Sequence, residues 1–98
     1  MSEAFEKANG FLSKRELHGG HKWTFRFQND FGASVIRHSF SYGHEDGRFE
    51  LAVLRFRSDN ESDSMIIYTT PITNNVLGCL SEEDVLSTLE RIAALEAV

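Results

Sequence analysis

Four histidines and a single cysteine are the side chains of this sequence that could ligate a transition metal. His18 and His21 flank two glycines, and His38, His44 and Cys79 follow at wide intervals. A zinc site needs three or four such ligands that converge on one point, commonly at CxxC or HExxH spacing. Neither spacing occurs, so we predict ordinary surface or partly buried histidines and no metal ion.

The groups that could act as nucleophile, acid or base lack the surroundings that catalysis needs. Cys79 has apolar neighbours, where we expect a buried thiol of low reactivity. The paired acids Glu45 with Asp46 and Asp59 with Asp63 have the polar neighbours of hairpin tips and loops. The sequence also lacks the GxSxG, GxxxxGK(S/T) and GxGxxG motifs. We therefore predict a protein that is not an enzyme and holds no cofactor.

Basic residues on the strands raise a second class of function, the binding of nucleic acid. If the aromatic side chains at positions 23, 25 and 27 face the interior, Arg26 faces away. Which other arginines join it depends on the strand register, and the candidates are Arg37, Arg48, Arg55 and Arg57. A positive sheet face bearing aromatic residues is one way to bind nucleic acid. However, the net charge is −5 and no Gly-rich aromatic stacking motif is present, so nucleic acid ranks below protein as a partner.

The acidic residues are concentrated in the C-terminal part of the chain. Residues 1–57 carry nine basic and seven acidic side chains, a net charge of +2, whereas residues 58–98 carry one and eight, a net charge of −7. Such asymmetry affects solubility and the choice of partners, not the fold. A protein that mimics DNA is usually far more acidic, so that interpretation ranks low as well.

Length and composition indicate one globular domain. The 98 residues, of which 41% are hydrophobic, suffice for a single core. One cysteine cannot form an intrachain disulfide, and a free thiol suits a reducing compartment. No apolar run approaches the roughly 20 residues that span a bilayer, and the acidic start lacks the order of a signal peptide. We expect a cytoplasmic protein that does not contact a membrane.

The first secondary-structure element that the pattern of apolar residues predicts with clarity is a strand. From His21 onward, apolar and polar side chains alternate, which is typical of a half-buried strand. Asn29, Asp30 and Gly32 then supply turn chemistry, because asparagine and aspartate bond their own backbone and glycine accepts a positive φ. A hairpin is therefore predicted at this point.

Three further strands are predicted after the turn, at residues 33–40, 49–57 and 65–70. The stretch 51–54 is apolar on both faces, which favours a central strand that is covered on both sides. The residues between the third and fourth strands are all polar and indicate a solvated loop, and Pro71 ends the last strand.

A helix is predicted near the C terminus. Ser81 can cap it, and the three acids that follow lie where the helix dipole is positive. Apolar residues then recur along one stripe: Val85, Leu86, Leu89, Ile92 and Ala93. Burying the four large ones stabilises the fold by about 6 to 12 kcal/mol before ordering costs, so the helix must dock on the sheet. Between Pro71 and Ser81 we expect one short helical turn that ends at Gly78.

Residues 1–20 stand apart from this pattern. Ala4, Phe5, Ala8 and Leu12 indicate a short helix, but an Asn-Gly pair interrupts it and two glycines separate it from the first strand. We therefore predict a flexible or partly helical segment over residues 1–20 and a single folded domain over residues 21–98.

Several segments between Phe31 and the C terminus resemble, in order and spacing, a type of small uncharacterised protein from tailed bacteriophages. They fall within about two thirds of the chain: FGASVIR, SYG, FELAVL, YTTPIT, VLG and LSEEDV. The resemblance implies expression in the cytoplasm of an infected bacterium. It implies no catalytic residue, and residues 1–20 lie outside it.

Glu50 is the carboxylate within the strand predicted to be most covered. In one interpretation it pairs across strands with Arg37 or Arg26, and Glu50→Ala loses stability. In the other it contributes to a small functional pocket with Tyr42 and His38, and Glu50→Ala loses function while it remains folded.

We therefore predict an α+β domain, a four-stranded antiparallel β-meander with a C-terminal α-helix packed on one face. The leading function is a non-enzymatic accessory protein that binds a host or phage protein and so inhibits a bacterial defence or metabolic enzyme. Homodimer formation through an exposed sheet edge is a variant of it. The alternative is a nucleic-acid-binding accessory factor that uses a basic sheet face. The candidate binding residues are Arg26, Arg37, His38, Tyr42 and Glu50.

Overall fold

The computed structural model describes residues 3–38, 47–60, 62–67, 70, 72 and 77–95. Within them the chain forms two helices and six strands in this order: α1 (Glu3–Lys7), β1 (Phe11–Leu17), β2 (Gly20–Arg26), β3 (Phe31–Arg37), β4 (Phe49–Phe56), β5 (Ser64–Ile66), β6 (Leu77–Leu80) and α2 (Glu82–Ala93). The strands form one antiparallel sheet in which β1 to β5 are neighbours in chain order, and β6 pairs with β4. The predicted α+β class is confirmed: an antiparallel meander with the C-terminal helix packed against it. The meander has five strands, β1 to β5, rather than the predicted four, and β6 is a sixth strand of the sheet.

β4 is the central strand, as its apolar sequence predicts. β3 pairs along one side of it, and β5 and β6 lie end to end along the other. The side chains of β4 are buried on both faces of the sheet: Leu51 and Val53 on one face, Ala52 and Leu54 on the other. Helices cover only the first of these faces, so the second needs another form of cover.

The alternation along the strands gives the sheet two different faces. The helix face packs against the two helices and includes Trp23, Phe25, Ala33, Val35, Leu51 and Val53. The open face lies opposite and includes Lys22, Thr24, Arg26, Ser34, Ala52, Leu54 and Phe56. The predicted inward orientation of the aromatic residues of β2 is confirmed.

α2 docks on the helix face through the predicted apolar stripe. Val85, Leu89 and Ile92 are buried in one cluster with the aromatic side chains of β2. At the C-terminal end of α2 the contact with the sheet is polar. There the side-chain amide of Asn29, in the β2–β3 turn, donates to the carbonyl oxygen of Ile92. The turn and the helix end therefore hold each other in place.

The start of α2 is a capping box. The Asp84 backbone N–H donates to the Ser81 hydroxyl oxygen (3.1 Å), and the Ser81 backbone N–H donates to the Asp84 carboxylate (3.1 Å). These two bonds satisfy groups that a helix start leaves without intrahelical partners. The predicted start of the helix at Ser81 is confirmed.

The capping box predicts a pH dependence of stability. The backbone and side-chain hydrogen bonds from Ser81, and the charge of Arg48, hold the pKa of the Asp84 carboxyl below its ordinary value of 3.8. A carboxyl whose pKa is lowered by folding stabilises the fold above its unfolded pKa, and this contribution disappears as the pH falls through the lowered value. The difference in Tm between the wild type and Asp84→Asn should therefore shrink when the pH is lowered from about 7 to about 3. A difference that stays constant over this range would contradict the assignment.

The N-terminal segment belongs to the sheet domain, which differs from the predicted division at residue 20. α1 is the short helix that the sequence indicated, and its Phe5 is fully buried beneath the helix face. β1 was not predicted, because the charged run Lys14, Arg15 and Glu16 breaks the alternation of a half-buried strand. An edge strand tolerates such a run, since its side chains reach solvent.

Residues 77–80 form β6, so the end of the segment predicted as a helical turn is a strand, and residues 73–76 of that segment lie outside the described residues. Leu80 lies opposite Phe49, and Leu77 lies opposite Leu51, so both leucines extend the apolar pattern of β4. Pairing with a strand that is already buried outweighs the weak helical signal of this short segment.

The β2–β3 turn also differs in detail from the prediction. The residue with positive φ is Asp30 (65°), and Gly32 lies inside β3. A Cβ at position 32 would clash with the Phe25 carbonyl oxygen and lie 2.7 Å from the Phe56 ring. Glycine is therefore needed here for close packing on the open face and not for turn geometry.

Candidate functional site

The open face of the sheet carries a cleft of about 230 Å³. Its described lining comes from four strands and one loop: Leu12, Ser13, Arg15, Lys22, Thr24, Leu54, Ser62 and Ser64. Neighbouring strands lie about 4.8 Å apart, so β1 and β5 would be separated by about 19 Å in a flat sheet. Because one cleft touches both strands, this face of the sheet is concave between them.

Two local features accompany this curvature. The register of β1 shifts between Phe11 and Ser13, and such a bulge bends a strand and increases its twist. On β4, the Phe56 ring lies against Gly32, and the Arg26 guanidinium covers it at 4.8 Å from the ring centroid. Phe56 is consequently only 2% exposed although no helix covers this face. The concave shape explains how β4 is buried on both sides.

The cleft places two like charges opposite each other. Arg15 and Lys22 are register partners in β1 and β2, and both line the cleft. Neither makes an ion pair or a hydrogen bond through its side chain within the part of the chain that the structure describes. Like charges directly opposite each other destabilise a sheet, so the free protein carries a small energetic cost at this position.

The remaining polar groups of the cleft are hydroxyls, from Ser13, Thr24, Ser62 and Ser64. A hydroxyl can donate or accept a hydrogen bond, and its direction adapts to the ligand. The described lining contains no Asp, Glu, His or Cys. The arrangement supplies positive charge and hydrogen-bond donors, which are suited to holding an anion.

Two of the predicted binding residues do not share a face. Arg26 lies on the open face opposite Gly32, where its guanidinium pairs with Asp30 at 2.9 Å. Arg37 lies opposite His21, at the other end of the β2–β3 pair, and its guanidinium is 5.2 Å from the Phe49 ring centroid on the helix face. The prediction that Arg26 and Arg37 form one basic face is therefore wrong, because the register sets them on opposite faces.

The other predicted site residues lie near the end of β3. His38 follows this strand, and its ring centroid is 5.4 Å from that of His18. Glu50 is half-buried opposite Ile36. Tyr42 lies outside the described residues, so both interpretations of Glu50, as an ion-pair partner or as part of a pocket, stay predictions.

The metal ligands considered in the sequence do not assemble among the described residues. No group of three His, Cys, Asp or Glu side chains there could hold a metal ion, and His44 lies outside the described part. Cys79 is exposed, which corrects the prediction of a buried thiol. The reason is its place on edge strand β6, where Leu77 and Leu80 are the residues that pair with β4 and Cys79 has a positive φ of 56°.

The edge formed by β5 presents apolar side chains to solvent. Met65 is 47% exposed and Ile66 is 43% exposed. The backbone bonds from Arg57 N to Asp63 O and from Ile67 N to Val53 O show that alternate residues point toward β4. The N–H and C=O groups of Ser64 and Ile66 consequently point away from the sheet.

The opposite edge of the sheet is protected in the way that edge strands usually are. β1 exposes three consecutive charged side chains, Lys14, Arg15 and Glu16. Charges on an edge strand discourage pairing with another chain, whereas exposed apolar side chains favour it. The two edges therefore differ in their capacity to accept a further strand.

A second groove, of about 370 Å³, lies between α1 and α2. Its walls are mostly small or apolar, with Ala4, Ala8, Leu86 and Ala93 among them. It resembles a packing defect between two helices more than a site that orients a polar ligand, which needs several convergent polar groups.

Comparisons with protein-family models, with curated proteins and with solved structures find no significant match to this chain. The described helices include none that is long and apolar enough to cross a bilayer. The resemblance to small tailed-phage proteins stays a prediction.

Proposed function

We propose that this chain is a non-enzymatic accessory protein that binds another protein by strand addition at β5. The observation that carries the proposal is the exposure of Met65 and Ile66 on an edge strand whose outward backbone groups have no neighbouring strand among the described residues. An extended segment laid along β5 would form backbone hydrogen bonds with Ser64 and Ile66 and cover both apolar side chains.

The charge of the surroundings indicates the chemistry of the partner segment. The loop that leads into β5 contains the exposed Asp59 together with Asp63, which pairs with Arg57. The C-terminal part of the sequence, from residue 58, carries one basic and eight acidic side chains. A segment with apolar residues at its centre and basic residues at its flanks is therefore complementary to this edge.

A second copy of the chain is a weaker occupant of the same edge. Each copy carries a net charge of −5, so two copies repel each other over the range of a Debye length. In line with the resemblance to phage proteins, we propose a host or phage protein as the partner, with inhibition of a bacterial enzyme as the consequence of binding.

Ile66→Lys tests this proposal, because it places a charge at the centre of the contact. We expect the wild type to capture one stoichiometric protein from host lysate, and Ile66→Lys to reduce the capture about tenfold or more. Gln28→Lys is the matched control, since it adds the same residue at an exposed position in the β2–β3 turn. In the complex, hydrogen exchange should slow at the amides of Ser64 and Ile66.

Three results would overturn strand addition by a different protein at β5. These are the absence of any stoichiometric partner for the wild type, equal capture by Ile66→Lys, and exchange protection confined to other strands. A purified wild type that forms a dimer in light scattering, with the dimer lost in Ile66→Lys, would assign the edge to a second copy.

Nucleic acid remains the second candidate, supported by the charges of Arg15 and Lys22, which have no ion-pair partner in the described part of the chain. The observation against it is that Phe56, the aromatic residue of β4 on the open face, is buried under Arg26 and offers no stacking surface. Salt-dependent retention on DNA or RNA that is lost in Lys22→Glu would favour this candidate.

A further inference from the structure

We infer that the cleft on the open face is a binding site for a phosphate-type oxyanion. The inference is independent of the proposed strand addition, because it concerns Arg15 and Lys22 on the open face and not the β5 edge. Arg15 and Lys22 are register partners and repel each other, and an anion placed between them would attract both.

Several other basic residues on or next to the sheet, unlike Arg15 and Lys22, form ion pairs. These pairs are Lys14 with Glu6, Arg26 with Asp30, and Arg57 with Asp63. Arg15 and Lys22 face each other in the cleft without a carboxylate in the described lining. Of the basic residues on the described strands, Arg15 and Lys22 are thus the two without such a partner, and they share a concave surface.

The hydroxyls define which anion fits. A tetrahedral oxyanion has three or four oxygens that accept hydrogen bonds, and Ser13, Thr24, Ser62 and Ser64 supply donors around the two cations. The guanidinium of Arg15 adds a planar fork that matches two oxygens of one phosphate. A carboxylate would leave several of these donors without an acceptor.

The size of the cleft limits what enters it. Its volume of about 230 Å³ is below the range of about 300 to 1,000 Å³ that encloses a complete small-molecule ligand. The site therefore takes a phosphate group, either as the free ion or as the head of a larger molecule whose remainder stays outside. Leu12 and Leu54 form the apolar part of the wall.

A titration of inorganic phosphate into the full chain, followed by ¹H–¹⁵N NMR, tests the site. We expect saturable shifts at the amides of Ser13, Thr24 and Ser64, and no such shifts with sodium chloride at equal ionic strength. Lys22→Gln and Arg15→Gln should each weaken binding about tenfold or more. Lys14→Gln is the matched control, because it removes the same charge from the adjacent position of β1 on the other face.

Stability supplies a second readout that does not depend on the titration. Lys22→Gln removes the repulsion from Arg15, so its Tm without phosphate should equal or exceed that of the wild type. Phosphate should raise the Tm of the wild type and of Lys14→Gln and leave that of Lys22→Gln unchanged. A low Tm for Lys22→Gln would instead assign Lys22 a structural role and overturn the inference.

Two further ligands distinguish the sources of the phosphate group. O-phosphoserine that binds more tightly than inorganic phosphate would indicate the head group of a modified protein, and adenosine monophosphate that does so would indicate a nucleotide. Equal affinity for all three indicates the free ion. Shifts that do not saturate, or that are the same in the wild type and Lys22→Gln, overturn the inference.

Discussion

Phe5→Ala should lower the free energy of unfolding by about 3 to 5 kcal/mol, a large part of the stability of a domain of this size. Phe5 is fully buried, and its ring centroid lies 5.3 Å from that of Trp23 and 5.0 Å from that of Phe49, both in edge-to-face geometry. α1 has only five residues and has no helical stability of its own, so the buried Phe5 side chain, together with the Lys14–Glu6 ion pair, holds it on the sheet. The substitution therefore removes a core residue and releases the N-terminal segment.

Urea unfolding of three variants measures this effect. Phe5→Leu keeps part of the buried area and should lose less stability than Phe5→Ala, which keeps the comparison measurable if the alanine variant is largely unfolded. Lys7→Ala on the exposed side of the same helix is the control and should change stability by less than about 0.5 kcal/mol. A loss below about 1 kcal/mol for Phe5→Ala would mean that α1 is loosely attached, as the sequence alone indicated.

The parts of the fold that could be predicted are those where local chemistry and burial agree. Ser81 caps α2 as the sequence indicates, and the stripe from Val85 to Ile92 is buried as its spacing requires. In β2, the alternation that includes Trp23 and Phe25 determines which face meets the helices. At each of these places one physical requirement, a cap or a buried face, selects a single structure.

β1 could not be predicted from its side chains, because it is an edge strand whose charged residues reach solvent. The sequence did contain one signal for it. His18 and Gly19 form the two-residue turn between β1 and β2, with φ of 46° and 77°, and such a turn places a second strand immediately before Gly20. The cleft depends on Arg15, so missing β1 also meant missing the candidate anion site.

The register determined the rest of the candidate site. Arg26 and Arg37 fall on opposite faces because an alternating pattern assigns neighbouring positions to opposite sides, and the sequence does not fix how one strand aligns with the next. Arg55 shows the same effect, since its guanidinium lies 4.9 Å from the Phe31 ring centroid on the helix face. Pairing of Arg15 with Lys22 could be recognised only once the register was known.

Asn29→Asp should destabilise the fold by about 2 to 4 kcal/mol, although the change replaces one amino group by one oxygen. The side-chain amide of Asn29 donates to the carbonyl oxygens of Ile92 (3.0 Å), Ala93 (3.3 Å) and Leu95 (2.9 Å) at the end of α2. Its own oxygen accepts from the Phe31 backbone N–H (3.0 Å), which fixes the orientation of the group. An introduced carboxylate would therefore direct a negative oxygen at three carbonyl oxygens and at the negative end of the helix dipole.

Asn29→Ala separates the two contributions, because it loses the hydrogen bonds without adding repulsion, and we expect a smaller loss of about 1 to 2 kcal/mol. Repulsion also raises the folded-state pKa of the introduced carboxyl above its unfolded value of about 3.9. The extra destabilisation of Asn29→Asp relative to Asn29→Ala is therefore absent below the unfolded-state pKa. It grows as the pH rises through the higher, folded-state pKa. Urea unfolding of both variants at about pH 7 and about pH 3.5 measures the excess at each pH. A carboxylate at position 29 is repelled only if the side chain faces the three carbonyl oxygens. Equal stability of the two variants at neutral pH would therefore show that the Asn29 amide does not bind the helix end.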